Sequence, residues 1–585
     1  MLGLAVFGEP FVSAAGEFIG REYVDAWGTQ WFYWWTGRQV LAGEGFDHTD
    51  VLFFPWGKDV YLHTGGNVLD GVLALPFRWL LGPVWGFNTF VVAVLASNAA
   101  AFATLARVTG ARPASAAIAA ALFAFNPFTL NEIVDGRPTQ AMQAFILLFL
   151  ADVARLARGA GILVALRAGV LLAVTGLGYW FYALFGGLAA LVVGLAVVYH
   201  ARPGKRVTTL FPFAVTGLAG LLLAAPFALP MVASSAAVPG LLDTATTSLV
   251  KWTPVTREGV GVGIYVVNLV ERVAGFLIES KDEPGTLVFV AEDRAILLTE
   301  AALGLLGLAF GRARGRLVVA ALLLTGLVVA AGPVLRVGGL ELPNVPYLTM
   351  ISAAPLLRRL WWPQRAMVLV SAGLALGVAH LLSRAEARWR PLLIVVALPA
   401  TLSWALELRG ADLAPLPTWS AAVPRVYQCL RHGGDAGALI ELPYASSQAH
   451  LFYQAVHGRK IFGGMVEDNL TFTPAGQVAF RESNSFIGAL LAAARDEAPG
   501  PVDEADRIAV GALGYAYVVF DRAAYAPPGA AGARVDTRNE GRGPAAFRRL
   551  VELLGRPAYV DPDSALWAPW GHAEPCGVGR GAPLP

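Results

Sequence analysis

The residues best placed to do chemistry sit in an acidic, aromatic-rich segment near the N-terminus. It reads REYVDAWGTQWFYWW from Arg21 to Trp35 and FDHTDVLFFPWGKDVYLH from Phe46 to His63. Asp25, Asp47, Asp50, Asp59, His48 and His63 lie there, in a chain that is otherwise strongly apolar. Carboxylates beside a bilayer surface commonly hold a metal, a proton or a phosphate-bearing substrate. Asp50, Asp59 and His63, with His48, form one candidate metal set, since oxygen ligands suit Mg²⁺ or Mn²⁺. The alternative is a solvated loop in which Gly57-Lys58-Asp59 is a turn.

Two further groups stand out. Glu132, Asp135 and Arg137 lie in NEIVDGRPTQ beside an apolar run. Three charges there are costly unless they face a cavity or one another. Substrate contact and an internal Asp135–Arg137 or Glu132–Arg137 pair are both open. Arg358, Arg359 and Arg365 lie in LRRLWWPQR. A guanidinium fork suits phosphate bidentately, and the alternative is snorkelling to lipid headgroups.

These groups need elements to position them, and the elements are membrane helices. Of 585 residues, 56% are hydrophobic and 15% charged, with a mean hydropathy of +0.57. A soluble domain carries about 25% charged residues. A net charge of +2 gives no indication of nucleic acid as a partner. Apolar runs fall near 86–106, 113–126, 138–156, 160–178, 181–199, 207–231, 293–310, 317–335, 366–383 and 391–407. Most approach the roughly 20 residues that cross about 30 Å of hydrocarbon. The stretch 67–81 is apolar but short, and reads as a helix on or in the outer leaflet.

Every second connection is short and basic: Arg107/Arg112, Arg155/Arg158/Arg167, Arg202/Lys205/Arg206, Arg312/Arg314/Arg316 and Arg384/Arg388/Arg390. The positive-inside rule makes these cytoplasmic. The connections 20–85, 127–137, 232–292 and 336–365 then face outward, as does everything after about 408. Arg365 sits on the outer side, against the rule. A span should deliver residues 20–85 outside, yet Met1–Phe7 is too short, so we expect a longer natural N-terminus. Trp31–Trp35 suits a short interfacial helix.

The tail is a different material. GALIELPY from Gly437 to Tyr444 and GYAYVVFDR from Gly514 to Arg522 read as buried strands. Helical patterns fall at 448–457, 483–495, 504–512 and 544–554, and AYVDPDSALWAP suggests a hairpin. Strands mixed with helices give a small α/β domain. The division expected is 1–85 as an outer-face loop with interfacial helices, 86–407 as the membrane domain and 408–585 as the extracytoplasmic domain. The two cysteines, Cys429 and Cys576, could pair in an oxidising compartment.

With these parts in order, the chain resembles the bacterial GT-C superfamily of integral-membrane glycosyltransferases, in particular those with an extracytoplasmic C-terminal domain. The likeness rests on WFYWW, LFFPWGKDVYLH and LALPFRWLLGPVWGFN, then ALFAFNPFTLNEIVDGRPTQ, GLGYWFYALFGGL and LRRLWWPQRAMVLVSAGLALG. In the tail it rests on LIELPY, YQAVHGRKIFGG and GALGYAYVVF. It implies a polytopic α-helical, GT-C-like membrane protein of about ten to eleven spans, followed by a small extracytoplasmic α/β domain. It also implies inverting transfer of a sugar from a polyprenyl-phosphate donor to a cell-envelope glycan, lipid or protein, at the outer face of the bacterial cytoplasmic membrane. In such enzymes an acid of the first outer loop is the base and often binds a divalent metal. Asp25 occupies that place, although it could instead cap the following helix. The sequence shows no paired-acid signature: Glu22 and Asp25 are three apart, as are Asp47 and Asp50. A lipid-linked-sugar flippase would use the same cavity without a base, and a non-catalytic envelope scaffold would need no cavity at all. Nearly charge-free spans and the lack of a repeat favour the transferase over the flippase.

Overall fold

The computed structural model describes residues 3, 6–8, 16–22, 24–64, 68–237, 276–279, 287–290, 296–309, 313–337, 340–354, 357, 360, 362–433, 435–445, 448–465, 473–525 and 541–576. Its contacts divide the chain into two units: residues 1–21 with 65–419, and residues 22–64 with 420–585.

The first unit is helical. Among the described residues, seven helices are long and apolar enough to cross a membrane: Leu69–Thr109, Pro113–Val134, Pro138–Leu156, Trp180–His200, Pro203–Ala237, Pro363–Arg388 and Pro391–Gly410. Ile162–Gly178, Leu298–Leu308 and Gly315–Ala330 are shorter apolar helices. Leu69–Thr109 is two helices joined at Gly82, where φ is +76° and Pro83 follows, so the short apolar stretch expected before 86 is a helix of its own. Leu163, Leu210, Leu221, Leu398 and Leu406 point outward from this unit, as lipid-facing side chains do. Inside, small residues let backbones touch. A Cβ on Gly307 would lie 1.8 Å from the Gly377 carbonyl oxygen, so Leu298–Leu308 packs directly on Met367–Arg388.

The second unit is built on a four-stranded sheet in the order Tyr559–Val560, Ser564–Trp567, Tyr515–Asp521, Ala438–Leu442. Tyr515–Asp521 runs parallel to Ala438–Leu442 and antiparallel to Ser564–Trp567, and all seven of its residues are buried. Helices Ser485–Ala494 and Gly543–Leu554 pack against each other and contribute to the same core. These are the strands, hairpin and helices that the tail's patterning implies.

Residues 22–64 complete this unit. Val24–Ala42 is a helix packed on Ala449–His457. Trp31 Nε1 donates to Gln454 Oε1 at 2.6 Å, and Gln454 Nε2 donates to the Val51 carbonyl at 2.7 Å. The backbone of 51–54 runs beside 461–463, with Phe53 N to Gly463 O at 2.9 Å and Ile461 N to Val51 O at 3.0 Å. Trp31 and Trp35 stack 5.5 Å apart and are fully buried. The aromatic run expected at a headgroup surface is therefore largely core of this unit, because its rings find apolar neighbours and its indole a polar partner. Cys429 and Cys576 are free thiols in hydrogen-bond contact.

Candidate functional site

The polar centre of the first unit forms where several helices begin or end. Helix Pro127–Val134 starts on Asn126, whose side chain accepts from Thr129 N at 2.9 Å with Pro127 at the first position. It stops at Asp135, and Gly136, at φ +73°, turns the chain. Arg137 N then donates to the Glu132 carbonyl at 2.7 Å, and Pro138 opens the next helical turn. NEIVDGRPTQ thus places Glu132, Asp135 and Arg137 on one tight corner.

Two other chain segments converge on that corner. Pro363–Ala366 leads into Met367–Arg388 and carries Arg365. Tyr179 sits at the sharp turn between Ile162–Gly178 and Trp180–His200. Arg365 pairs with Glu132 at 3.6 Å and donates to the Tyr179 hydroxyl. Its guanidinium also lies 5.6 Å from the Trp362 ring centroid. Arg137 pairs with Glu132 at 3.1 Å and with Asp135 at 2.9 Å.

Arg21 completes the set, 2.5 Å from Asp135. It is brought there by Gly20, at φ +115°, where a Cβ would lie 2.9 Å from the Val134 carbonyl oxygen; Arg21 N bonds that same oxygen at 2.7 Å. Three guanidinium groups therefore surround two carboxylates. Side-chain exposure is 12% for Arg365 and 9% for Glu132, against 58% for Arg21, so Arg365 is far better shielded from water than Arg21. Burial pushes the Asp135 carboxyl above its usual range while Arg137 and Arg21 pull it back. Burial likewise takes the Tyr179 phenol to about 12 against the pull of Arg365, so Tyr179 is a neutral donor at physiological pH. Around the cluster, Tyr182 donates to the Gln140 carbonyl at 2.5 Å and Thr139 to Asp70 at 2.5 Å.

The structure thus brings together Glu132, Asp135, Arg137 and Arg365, and both carboxylates pair with Arg137. Arg21, Tyr179 and Asp70 are members that sequence reasoning did not assign. Tyr179 had a signal, a tyrosine in a turn between two apolar runs; Arg21 had none, since its partner is over a hundred residues away. Arg358 and Arg359 lie outside the described residues.

The other candidates belong to the second unit. Asp25 lies in the first turn of Val24–Ala42, where a carboxylate favours the helix dipole. Asp50 pairs with Lys460 at 2.6 Å, and Asp59 Oδ1 accepts from Leu62 N at 2.8 Å, closing the start of a short helix. His48 faces Asp59 across a two-residue strand pair. The side chain of His63 lies outside the described residues. Among the described residues no group of three or more His, Cys, Asp or Glu gathers as a metal would need. At the buried corner, two carboxylates beside three guanidinium groups suit an anion, not a dication. That corner therefore does not fit Mg²⁺ or Mn²⁺.

No protein-family model matches the sequence, and no curated protein matches it. Solved structures do. The chain is similar to the arabinofuranosyltransferase AftD from Mycobacteria, at 17% identity and a TM-score of 0.55 over 97% of this chain and 41% of AftD. It is also similar to the oligosaccharyltransferase AglB from Archaeoglobus fulgidus, solved with an inhibitory peptide and a dolichol-phosphate: 11% identity, TM-score 0.46, 89% of this chain and 68% of AglB. ArnT from Cupriavidus metallidurans matches at 12% identity and TM-score 0.36 over 96% and 95% of the two chains. The likeness to AftD carries the fold, and this chain spans about two fifths of that protein's length.

Proposed function

We propose that this chain, a polytopic helical protein with the GT-C-like fold of membrane glycosyltransferases, moves a sugar from a polyprenyl-phosphate donor to a cell-envelope acceptor. One fold hosts many functions, so the residues of the site decide the chemistry. The observation that carries it is the buried guanidinium of Arg365, fixed by Glu132 and the Tyr179 hydroxyl on the same corner as Arg137. Transfer expels a lipid phosphate whose negative charge grows as the glycosidic bond breaks. A fixed cation in a water-poor site stabilises that charge far better than a solvated one.

In the proposed step, a carboxylate takes the proton of the acceptor hydroxyl. The acceptor oxygen attacks the anomeric carbon as its bond to the phosphate oxygen breaks. The polyprenyl phosphate leaves with the electron pair, and the sugar inverts. Arg365 anchors the phosphate, Tyr179 donates to it or to a sugar oxygen, and Glu132 holds Arg365 in place. Asp25 is the base we assign. The alternation of basic connections supports the outer face of the bacterial cytoplasmic membrane, with the tail outside.

Purified protein assayed with radiolabelled polyprenyl-phosphate sugars tests this. Asp25→Asn should abolish transfer while melting like the parent chain, and an unchanged rate removes Asp25 as base. Arg365→Gln should lower kcat by about 10²–10³, the usual effect of losing one charge-stabilising donor. Transfer at the parent rate would remove the phosphate role of Arg365.

A further inference from the structure

The second unit holds a cavity of about 650 Å³ lined by Arg38, Arg431, His432, His457, Arg459 and Lys460. Among the described residues no carboxylate lines it. Of the nearby acids, Asp50 pairs with Lys460 of the wall itself at 2.6 Å, and Asp435 bonds His572 at 2.9 Å. Four cations, of which among the described residues only Lys460 is paired with a carboxylate, share one wall, and field focusing in a cleft makes such a wall attractive to anions.

The wall is also built. Arg459 donates to the carbonyls of Leu430 at 2.8 Å, Gly433 at 2.6 Å and Asp435, so its guanidinium is immobilised by the turn after helix Arg425–His432. His457 accepts from Arg459 N through Nδ1 at 3.1 Å, which leaves the hydrogen on Nε2. That Nε2 has no hydrogen-bond partner, although His457 is only 7% exposed. Burial, with the charge of Arg459, pushes the imidazole down to about 3, so it stays a neutral donor. A buried donor left unpaired is costly, and a ligand that accepts from it removes the cost.

We propose that this cavity binds a phosphate-class oxyanion, with Arg38 and Arg431 as direct contacts, Arg459 and Lys460 as fixed charges, and His457 Nε2 as a neutral donor. The inference goes beyond the glycosyl-transfer reading and stands on residues of the second unit alone. A lipid headgroup and a soluble phosphate share this chemistry.

The test uses the full chain in detergent, in two arms. One titrates inorganic pyrophosphate by calorimetry, and the other titrates dioctanoyl phosphatidylglycerol against dioctanoyl phosphatidylcholine by thermal shift. Saturable binding in at least one arm is expected, weakened at least about tenfold by Arg38→Gln with Arg431→Gln, as for loss of charged hydrogen bonds. Both side chains are exposed, so the pair should fold; each single variant should show part of the loss. Arg495→Gln, also exposed, should bind like the parent. Binding only in the phosphatidylglycerol arm supports the site and names a headgroup as its ligand; binding only of pyrophosphate names a soluble phosphate. The proposal falls if neither ligand saturates, if the double variant binds like the parent, or if the loss follows Arg365→Gln instead. Transfer activity is not read, so failure here leaves the glycosyl-transfer reading standing, and the reverse holds too.

Discussion

Arginine is used in opposite ways in the two units. At the corner of the first unit, guanidinium groups are matched almost one for one with carboxylates and packed against tyrosine and tryptophan. On the cavity wall of the second unit they face open space, and the one held tightly, Arg459, is held by backbone carbonyls that carry no net charge. A buried guanidinium without counter-charges would pay a desolvation cost of several kcal/mol, so the first arrangement needs its acids to exist at all. A solvated wall needs none, and keeps its charge for a ligand. The first is a preorganised site with little residual field, the second an attractive field with less fixed geometry.

The first arrangement is most easily undone at Glu132. Glu132→Ala removes the partner shared by Arg365 and Arg137 and leaves buried positive charge behind. A loss of roughly 3–5 kcal/mol in stability is expected, the usual cost of breaking a buried pair. Denaturant titration of the solubilised protein measures it. A loss under about 1 kcal/mol would mean the corner is wet, and the preorganisation argued for Arg365 would go with it.

How far the sequence revealed all this differs between the two regions for the same reason. Apolar runs, basic connections and the tail's strand patterns are local, so helices such as Met367–Arg388 and strands such as Tyr515–Asp521 were readable directly. Glu132, Asp135 and Arg137 were readable because they lie within six residues, and Arg365 because its charge violates the topology rule. Membership of residues 22–64 in the tail's unit was not, because it depends on Trp31 meeting Gln454 more than four hundred residues later. The basic cavity was equally hidden: Arg38, Arg431 and the 457–460 stretch share no motif, and only the pairing of 51–54 with 461–463 and of Val24–Ala42 with Ala449–His457 assembles them.

His457 gives the next effect. Its imidazole is held down to about 3 in the folded protein, by burial first and then by the charge of Arg459, against about 6.5 unfolded. Between those values the unfolded chain binds a proton that the folded one does not. The contribution is therefore fully present above about pH 6.5 and is lost as pH falls towards 3, by at most about 1.4 kcal/mol per pH unit. Melting curves from pH 7 to pH 5 should show this slope, and His457→Gln should flatten it. An unchanged slope would show that the ring is solvated, and Nε2 would no longer count as a buried donor.

The smallest effect belongs to Asp50, and it decides what kind of wall the cavity has. Its pair with Lys460 is half exposed, at 57% and 40% of the two side chains. Exposed pairs contribute about 0–1 kcal/mol, because water screens them and both side chains lose freedom. Asp50→Asn should therefore leave the melting temperature almost unchanged. It should still tighten pyrophosphate binding, since it removes the carboxylate that restrains Lys460, and the gain should shrink in high salt as charges are screened. Unaltered affinity would mean that Lys460 contributes no field to the cavity, and the contrast would then rest on Arg38, Arg431 and Arg459 alone. A large loss of stability would instead make this acid, like Glu132, part of the unit's own balance of charge, and the second region would resemble the first.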